Sequence, residues 1–146
     1  MTALTLDLAV KIAERALAKG RELKLNPLAI AVLDIRGQIK ACHAEDNATL
    51  MRAEIAIGKA WGSLVMGFGG REQARRAQAM PTFLTALQVL AGGRVVPFPG
   101  GVLLRDTDGS LLGAVGVSGD KADNDELCAV AGIASVGLKS DTGDPA

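Results

Sequence analysis

The sequence is poor in aromatic residues, which make up 3% of its 146 residues and include no tyrosine. Few rings are therefore available to stack nucleic-acid bases. Sixteen basic and sixteen acidic residues balance to a net charge of zero, so no overall field attracts nucleic acid or an anionic lipid surface. We expect neither nucleic acid nor a membrane as a partner.

Long apolar runs and cysteine motifs are also missing. No stretch approaches about 18 uninterrupted apolar residues, as a membrane-spanning helix requires, and the first residues lack the basic and apolar regions of a secretory signal. Cys42 and Cys128 belong to no CxxC motif, which favours two small buried hydrophobes over a disulfide or metal pair. We expect a cytoplasmic protein with one domain over residues 1–146 and a flexible tail over residues 140–146.

The apolar residues, which amount to 49% of the chain, recur at regular spacings. In the first twenty residues the spacing is helical, with Thr5 as a cap and Gly20 as the end of the helix. The same criteria predict further helical segments at residues 49–66, 72–78, 81–91 and 123–138. Helices therefore account for much of the chain.

The strands are predicted mainly as hairpins. Residues 28–33 and 38–43 flank a turn at Asp34–Gly37, and residues 102–105 and 111–117 flank a second turn at 106–109. Residues 94–98 are predicted to be an edge strand, because Pro97 cannot donate to a central ladder. Since tight hairpins are present and no βαβ repeat is, the sheet should be antiparallel with helices packed on it.

Several segments resemble the GlcG/HbpS-type haem-binding family, which is related to the C-terminal domain of PduO-type cobalamin adenosyltransferases. They include LTLDLAVKIAERALAKG, AIAVLDIRGQIKA and AEIAIGKAW, which contains Lys59. The most specific are RVVPFPGGVLLRD and LLGAVGVSGDKADNDE. The resemblance implies an α/β (α+β), profilin-like fold with a five-stranded antiparallel sheet flanked by helices, assembled into homodimers or larger homo-oligomers. The apolar composition and the edge-like segment at 94–98 also favour self-association.

The resemblance further implies a small-molecule pocket, which holds haem in some members, so haem or a related tetrapyrrole is the ligand that we expect. His43 is the only histidine, and a neutral imidazole is a good ligand for haem iron. Its alternative role is that of a surface histidine at a hairpin end. Met51, Met66 and Cys42 are alternative iron ligands.

Other residues are candidates for binding the acidic groups of such a ligand. Lys59 and Arg105 are available for the haem propionates, and the backbone N–H groups of Gly100 and Gly101 can approach an anion. Alternatively, the glycines serve turns and close packing, and Lys59 is a solvated helix residue. We expect His43, Lys59 and the glycine segment to border one shared recess.

A second hypothesis is a catabolic enzyme, such as a tautomerase, hydratase or hydrolase, acting on a small carboxylate. Lys59 would bind the carboxylate or, with a pKa lowered by burial, act as a base. Glu54 or Asp46 would then move a proton. Ser118 lies in GVSG rather than GxSxG, which argues against a serine hydrolase. A third hypothesis is an oligomeric accessory protein whose pocket is unused.

Overall fold

The computed structural model describes residues 3–144. Its helices are α1 (Leu6–Glu22), α2 (Arg52–Met66), α3 (Gly70–Ala79), α4 (Pro81–Ala91) and α5 (Ala122–Ser135). Its strands are β1 (Ala29–Asp34), β2 (Ile39–Ala44), β3 (Gly101–Arg105), β4 (Leu111–Ser118) and β5 (Lys139–Asp141). In this part of the chain no helix has both the length and the apolar character needed to cross a membrane.

The strands form one antiparallel sheet in the order β2-β1-β4-β3-β5. Both predicted hairpins are present, and the Asp34 carboxylate stabilises the first turn by accepting hydrogen bonds from the Arg36 and Gln38 N–H groups. Helices cover the two faces of the sheet. The predicted α+β fold, with a five-stranded antiparallel sheet flanked by helices, is confirmed.

Helices α1 and α5 pack together on one face of the sheet. As predicted, the Thr5 hydroxyl caps α1 by accepting a hydrogen bond from the Leu8 N–H at 3.2 Å. The two helices approach closely at Gly132, where an added methyl group would lie 2.5 Å from the Ile12 carbonyl oxygen. The main hydrophobic core therefore lies between this helix pair and the sheet.

Helix α2 covers the opposite face, and glycine makes that contact close as well. A methyl group added at Gly116 in β4 would lie 1.9 Å from the Ala56 carbonyl oxygen of α2. One added at Gly113 would lie 2.0 Å from the Leu33 carbonyl oxygen of the neighbouring strand. These glycines therefore serve close packing, which is the structural alternative given for the glycine-rich segments.

The predicted edge strand at residues 94–98 is wrong, because this segment makes no ladder with the sheet. Its backbone groups bind other partners. The Val95 N–H and carbonyl both bind the Gln88 side chain, and the Val96 N–H donates to the Gly58 carbonyl of α2 at 3.3 Å. The segment therefore lies across α2 and outside the sheet.

The fifth strand is formed instead by Lys139–Asp141, which overlaps the predicted flexible tail at residues 140–146. Strand β5 pairs with β3, with Asp141 opposite Leu103, so the chain at residue 140 continues as the edge of the sheet. The short polar sequence Lys-Ser-Asp has no strand-like pattern, and pairing with β3 is what makes it extended. Of the predicted tail, residues 145 and 146 lie outside the described residues.

Candidate functional site

Lys59 is buried on the sheet-facing side of α2, with only 5% of its surface exposed. Its Nζ donates to the Asp125 Oδ2 at 3.0 Å and to the Val117 carbonyl oxygen at 3.0 Å. Burial lowers the pKa of Lys59, and Asp125 opposes that shift. Burial likewise raises the pKa of Asp125, and Lys59 opposes it. The ammonium group of Lys59 is thus engaged by protein acceptors.

Gly100 and Gly101 lie directly against this lysine. A methyl group at Gly100 would lie 2.9 Å from the Lys59 Nζ, and one at Gly101 would lie 2.4 Å from the Lys59 carbonyl oxygen. Gly100 also has a φ of +112°, which disfavours residues with a side chain. The structure therefore brings three predicted site residues together, around a buried ion pair.

Asp125 is a residue that the sequence argument missed. It lies in the first turn of α5, is 1% exposed, and its Oδ1 accepts the Asp120 N–H at 3.0 Å. The available signal was the segment GDKADNDE, which belongs to one of the most specific family-like motifs. That segment contains four acidic residues, and only the fold shows which of them meets Lys59.

His43 lies on the other side of the sheet from Lys59. It is paired with Ile30, whose side chain belongs to the core beneath α1 and α5. Directly paired residues of an antiparallel sheet place their side chains on the same face. His43 therefore faces the α1 side, whereas α2 covers the opposite face. The expectation that His43 and Lys59 border one recess is wrong.

The remaining predicted residues lie in three further places. Arg105 contacts Asp141, with its Nε and Nη2 atoms each 3.2 Å from the Asp141 Oδ2. Asp46 borders an open cleft of about 520 Å³ beside Arg21. Glu54 lines a different cleft, beside α2. The structure does not bring Lys59, Glu54 and Asp46 together.

A cleft of about 460 Å³ lies between α2, the β1–β2 hairpin and residues 93–96, and we call it the α2 cleft. Its charged lining residues are Glu54 and Arg94. The other lining residues are glycine or apolar: Gly37, Ile39, Met51, Ile55, Ile57, Gly58, Trp61, Gly93 and Val96. The α2 cleft is therefore an apolar slot with one basic and one acidic group.

Trp61 and Arg94 form a stacked pair in this cleft. The Arg94 guanidinium carbon lies 3.9 Å from the centre of the Trp61 ring, within the range of a cation–π contact. The Arg94 Nε also donates to the Ala91 carbonyl oxygen at 2.9 Å. Arg94 was not predicted as a site residue, whereas Met51 was named as an alternative iron ligand.

Comparisons with known proteins agree on the family and the fold. The chain is 31% identical over 126 residues to a 15.0 kDa protein of the dhaT-dhaS intergenic region of Citrobacter freundii, covering 86% of this chain and 87% of that one. It is 28% identical over 130 residues to the corrinoid adenosyltransferase PduO of the same organism. That match covers 89% of this chain but spans only 38% of PduO.

Solved structures show the same architecture. A crystal structure of the PduOC:heme complex superposes with a TM-score of 0.84 and 26% identity, covering 98% of this chain and 100% of that one. A crystal structure of HbpS superposes with a TM-score of 0.80 and 27% identity, covering 93% and 92% of the two chains. The profile of the family described as haem degrading protein HbpS-like matches residues 4–134. The chain belongs to this HbpS-like family.

Proposed function

We propose that this protein binds haem or a related tetrapyrrole in the α2 cleft. The observation that carries the proposal is the apolar slot beside α2, with the Arg94 guanidinium stacked on Trp61 at its wall. The family description and the solved PduOC:heme complex support the choice of ligand. The α2 cleft is thus the site that we propose for the tetrapyrrole.

The residues of the α2 cleft suit the chemistry of haem. Its apolar walls match the hydrocarbon edge of the macrocycle, and the Met51 thioether is a known type of axial ligand. Met51 lines the cleft and is 56% exposed, so its side chain is open to a ligand there. The Arg94 guanidinium suits a propionate, because its planar donors match a carboxylate. Bound haem would supply an iron that exchanges electrons or binds small molecules.

The proposal is tested by titrating haemin into the apo-protein and recording the Soret band. We expect saturable binding to the wild type and a shifted band with about tenfold weaker affinity for Met51→Ala, equal to about 1.4 kcal/mol. Arg94→Ala should weaken binding without moving the band, because a propionate partner does not touch the iron. No saturable spectral change in the wild type would overturn the proposal.

Two further variants complete this experiment. His43→Ala tests the sequence-based alternative, and we expect it to leave the band unchanged because His43 faces the α1 side. Met80→Ala is the matched control, since Met80 is an exposed methionine outside the cleft. A Soret change in His43→Ala but not in Met51→Ala would move the ligand site to the other face of the sheet.

We also propose that the protein self-associates through α4. This helix has the sequence PTFLTALQVLA, without a charged residue, and leaves Leu90 86%, Val89 78% and Phe83 53% exposed. A second copy of this chain is the occupant that we propose, because a symmetric contact places the same surface opposite itself. An uncharged surface creates no like-charge repulsion in such a contact, and burial of its apolar side chains favours association.

Self-association is tested by sedimentation velocity at micromolar concentration. The wild type should sediment as a dimer or larger species, and Leu90→Lys should reduce it to a monomer by placing charges face to face. Gln78→Lys is the control, since Gln78 is an exposed residue on α3. A wild-type monomer at this concentration, or a Leu90→Lys variant of unchanged size, would contradict the proposal.

We propose a cytoplasmic location as well. Cys42 is exposed and Cys128 is buried, and both are free thiols, which suits a reducing compartment. Cell fractionation with an antibody to the protein is the test, and recovery outside the cytoplasmic fraction would contradict this location.

A further inference from the structure

The side chain of Gln88 on α4 binds both backbone groups of Val95. Its Oε1 accepts the Val95 N–H at 3.3 Å, and its Nε2 donates to the Val95 carbonyl oxygen. Val95 itself is 1% exposed, so its backbone would otherwise lose its hydrogen bonds to water without replacement. One side-chain amide therefore does here what a neighbouring strand does in a sheet.

The same segment is seated on α2 at two glycines. Gly58 and Gly62 are four residues apart and thus lie on one side of the helix. A methyl group at Gly58 would lie 2.9 Å from the Arg94 carbonyl oxygen, and one at Gly62 would lie 3.1 Å from the Val95 Cγ1. Residues 94–96 are thereby held between α4 and α2, as one wall of the α2 cleft.

The position of Arg94 depends on this arrangement, together with its own hydrogen bond to the Ala91 carbonyl oxygen. Arg94 directly precedes Val95, and its guanidinium lies over Trp61. We infer that Gln88 is a positioning residue, which places Arg94 over Trp61 and so sets the affinity of the α2 cleft for an anionic, carboxylate-bearing planar ligand. This inference rests on the proposed function for its ligand, but its structural part stands on the Gln88 and Trp61 contacts alone.

Gln88→Met is the decisive variant, because methionine keeps the length and apolar stem of glutamine and removes both hydrogen bonds. The Val95 backbone must then form its hydrogen bonds with water, which requires residues 94–96 to move away from α2. This movement draws Arg94 away from Trp61. Trp61 is the only tryptophan of the chain, so its fluorescence reports this movement without interference.

The first measurement is acrylamide quenching of Trp61 in the apo-protein. We expect the quenching constant of Gln88→Met to rise about twofold, because the guanidinium no longer covers the ring. Gln88→Glu keeps an acceptor for the Val95 N–H but places a carboxylate oxygen against the Val95 carbonyl oxygen, so its quenching should also rise above that of the wild type. Gln78→Met on α3 is the matched control and should equal the wild type.

The second measurement is the affinity for haemin by Soret titration. Gln88→Met should bind about tenfold more weakly, because the displaced Arg94 no longer meets the carboxylate of the ligand. The double variant Gln88→Met/Arg94→Ala should bind no more weakly than Arg94→Ala alone, since both changes remove the same contact. A merely structural role for Gln88 would make the two losses add.

The outcomes separate this inference from the proposed function. If Trp61 is quenched in Gln88→Met to the same extent as in the wild type, the positioning role is overturned, whatever the haemin titration gives. Failure of the wild type to bind haemin overturns the proposed function, while the quenching series still decides the role of Gln88. Additive losses of haemin affinity in the double variant also overturn the positioning role of Gln88. If Gln88→Met does not fold, Gln88→Glu provides the same comparison with one hydrogen bond retained.

Discussion

The two faces of the sheet bury different kinds of side chain. Under α1 and α5 the core consists largely of branched aliphatic residues, including Ile12, Ile30 and Ile133, each with no exposed surface. Under α2 the buried hydrophobic residues are fewer and smaller, and one of their clusters consists of alanines such as Ala31 and Ala56. The α2 face is thus built for close approach, whereas the α1 face buries a larger apolar volume.

The difference extends to polar groups. Lys59 of α2 forms a buried ion pair with Asp125 of α5, and the α2 cleft opens beside α2. Apolar burial on the α1 face supplies most of the hydrophobic free energy, at about 25 cal/mol per Å². A ligand bound in the α2 cleft, as proposed, would therefore leave the main core undisturbed. Three experiments test whether the two faces act independently.

The largest effect is expected for Lys59→Met. Removing the ammonium leaves the Asp125 carboxylate buried without its charged partner, which should lower the free energy of unfolding by about 3–5 kcal/mol. Urea denaturation followed by circular dichroism measures this loss. The double variant Lys59→Met/Asp125→Asn should recover part of it, because no buried charge remains. A loss below about 1 kcal/mol in the single variant would contradict a tight pair.

A smaller effect is expected for Ile12→Val in the α1 core. Deleting one buried methylene should cost about 0.5–1.5 kcal/mol of unfolding free energy and leave haemin affinity unchanged. Ile55→Val in the α2 cleft is the partner experiment, and it should change haemin affinity more than stability because Ile55 is only partly buried. Equal effects of the two variants on affinity would show that the faces are not independent.

The smallest expected effect is a difference in reactivity between the two thiols, measured while the fold stays intact. Cys128 is buried in the α1 core, and burial raises the pKa of its thiol to about 11. Cys42 lies on the edge strand and is exposed, although partial burial also raises its thiol pKa. At pH 8 a disulfide reagent should therefore react with one thiol of the native chain, and with both after unfolding. Cys42→Ser should abolish the native reaction, and a second fast native thiol would contradict the assignment.

Much of the fold follows from local sequence patterns. The turn at Asp34–Gly37 and the cap at Thr5 are specified by short-range chemistry, and both are confirmed. The fifth strand could not be predicted, because Lys139–Asp141 is extended only through its pairing with β3. Conversely, Val95 lies in a strand-like sequence, yet Gln88 takes up its backbone hydrogen bonds. Long-range partners decide both cases.

The candidate site was less predictable for the same reason. Whether His43 faces α1 or α2 depends on strand register, since a shift of one residue moves a side chain to the opposite face. Lys59 meets Asp125 and Trp61 meets Arg94 across long stretches of sequence, so neither pair leaves a local pattern. Met51 could be predicted from the sequence only as one of several potential iron ligands. Geometry, more than residue type, selects among these candidates.

Helix α4 carries both Gln88, which binds the wall of the α2 cleft, and the exposed residues Val89 and Leu90. A second copy seated on those residues would restrict the movement of the helix and hence of the wall. Assembly and ligand occupancy would then be thermodynamically linked. By reciprocity, the factor by which dimerisation tightens ligand binding is the factor by which ligand tightens the dimer.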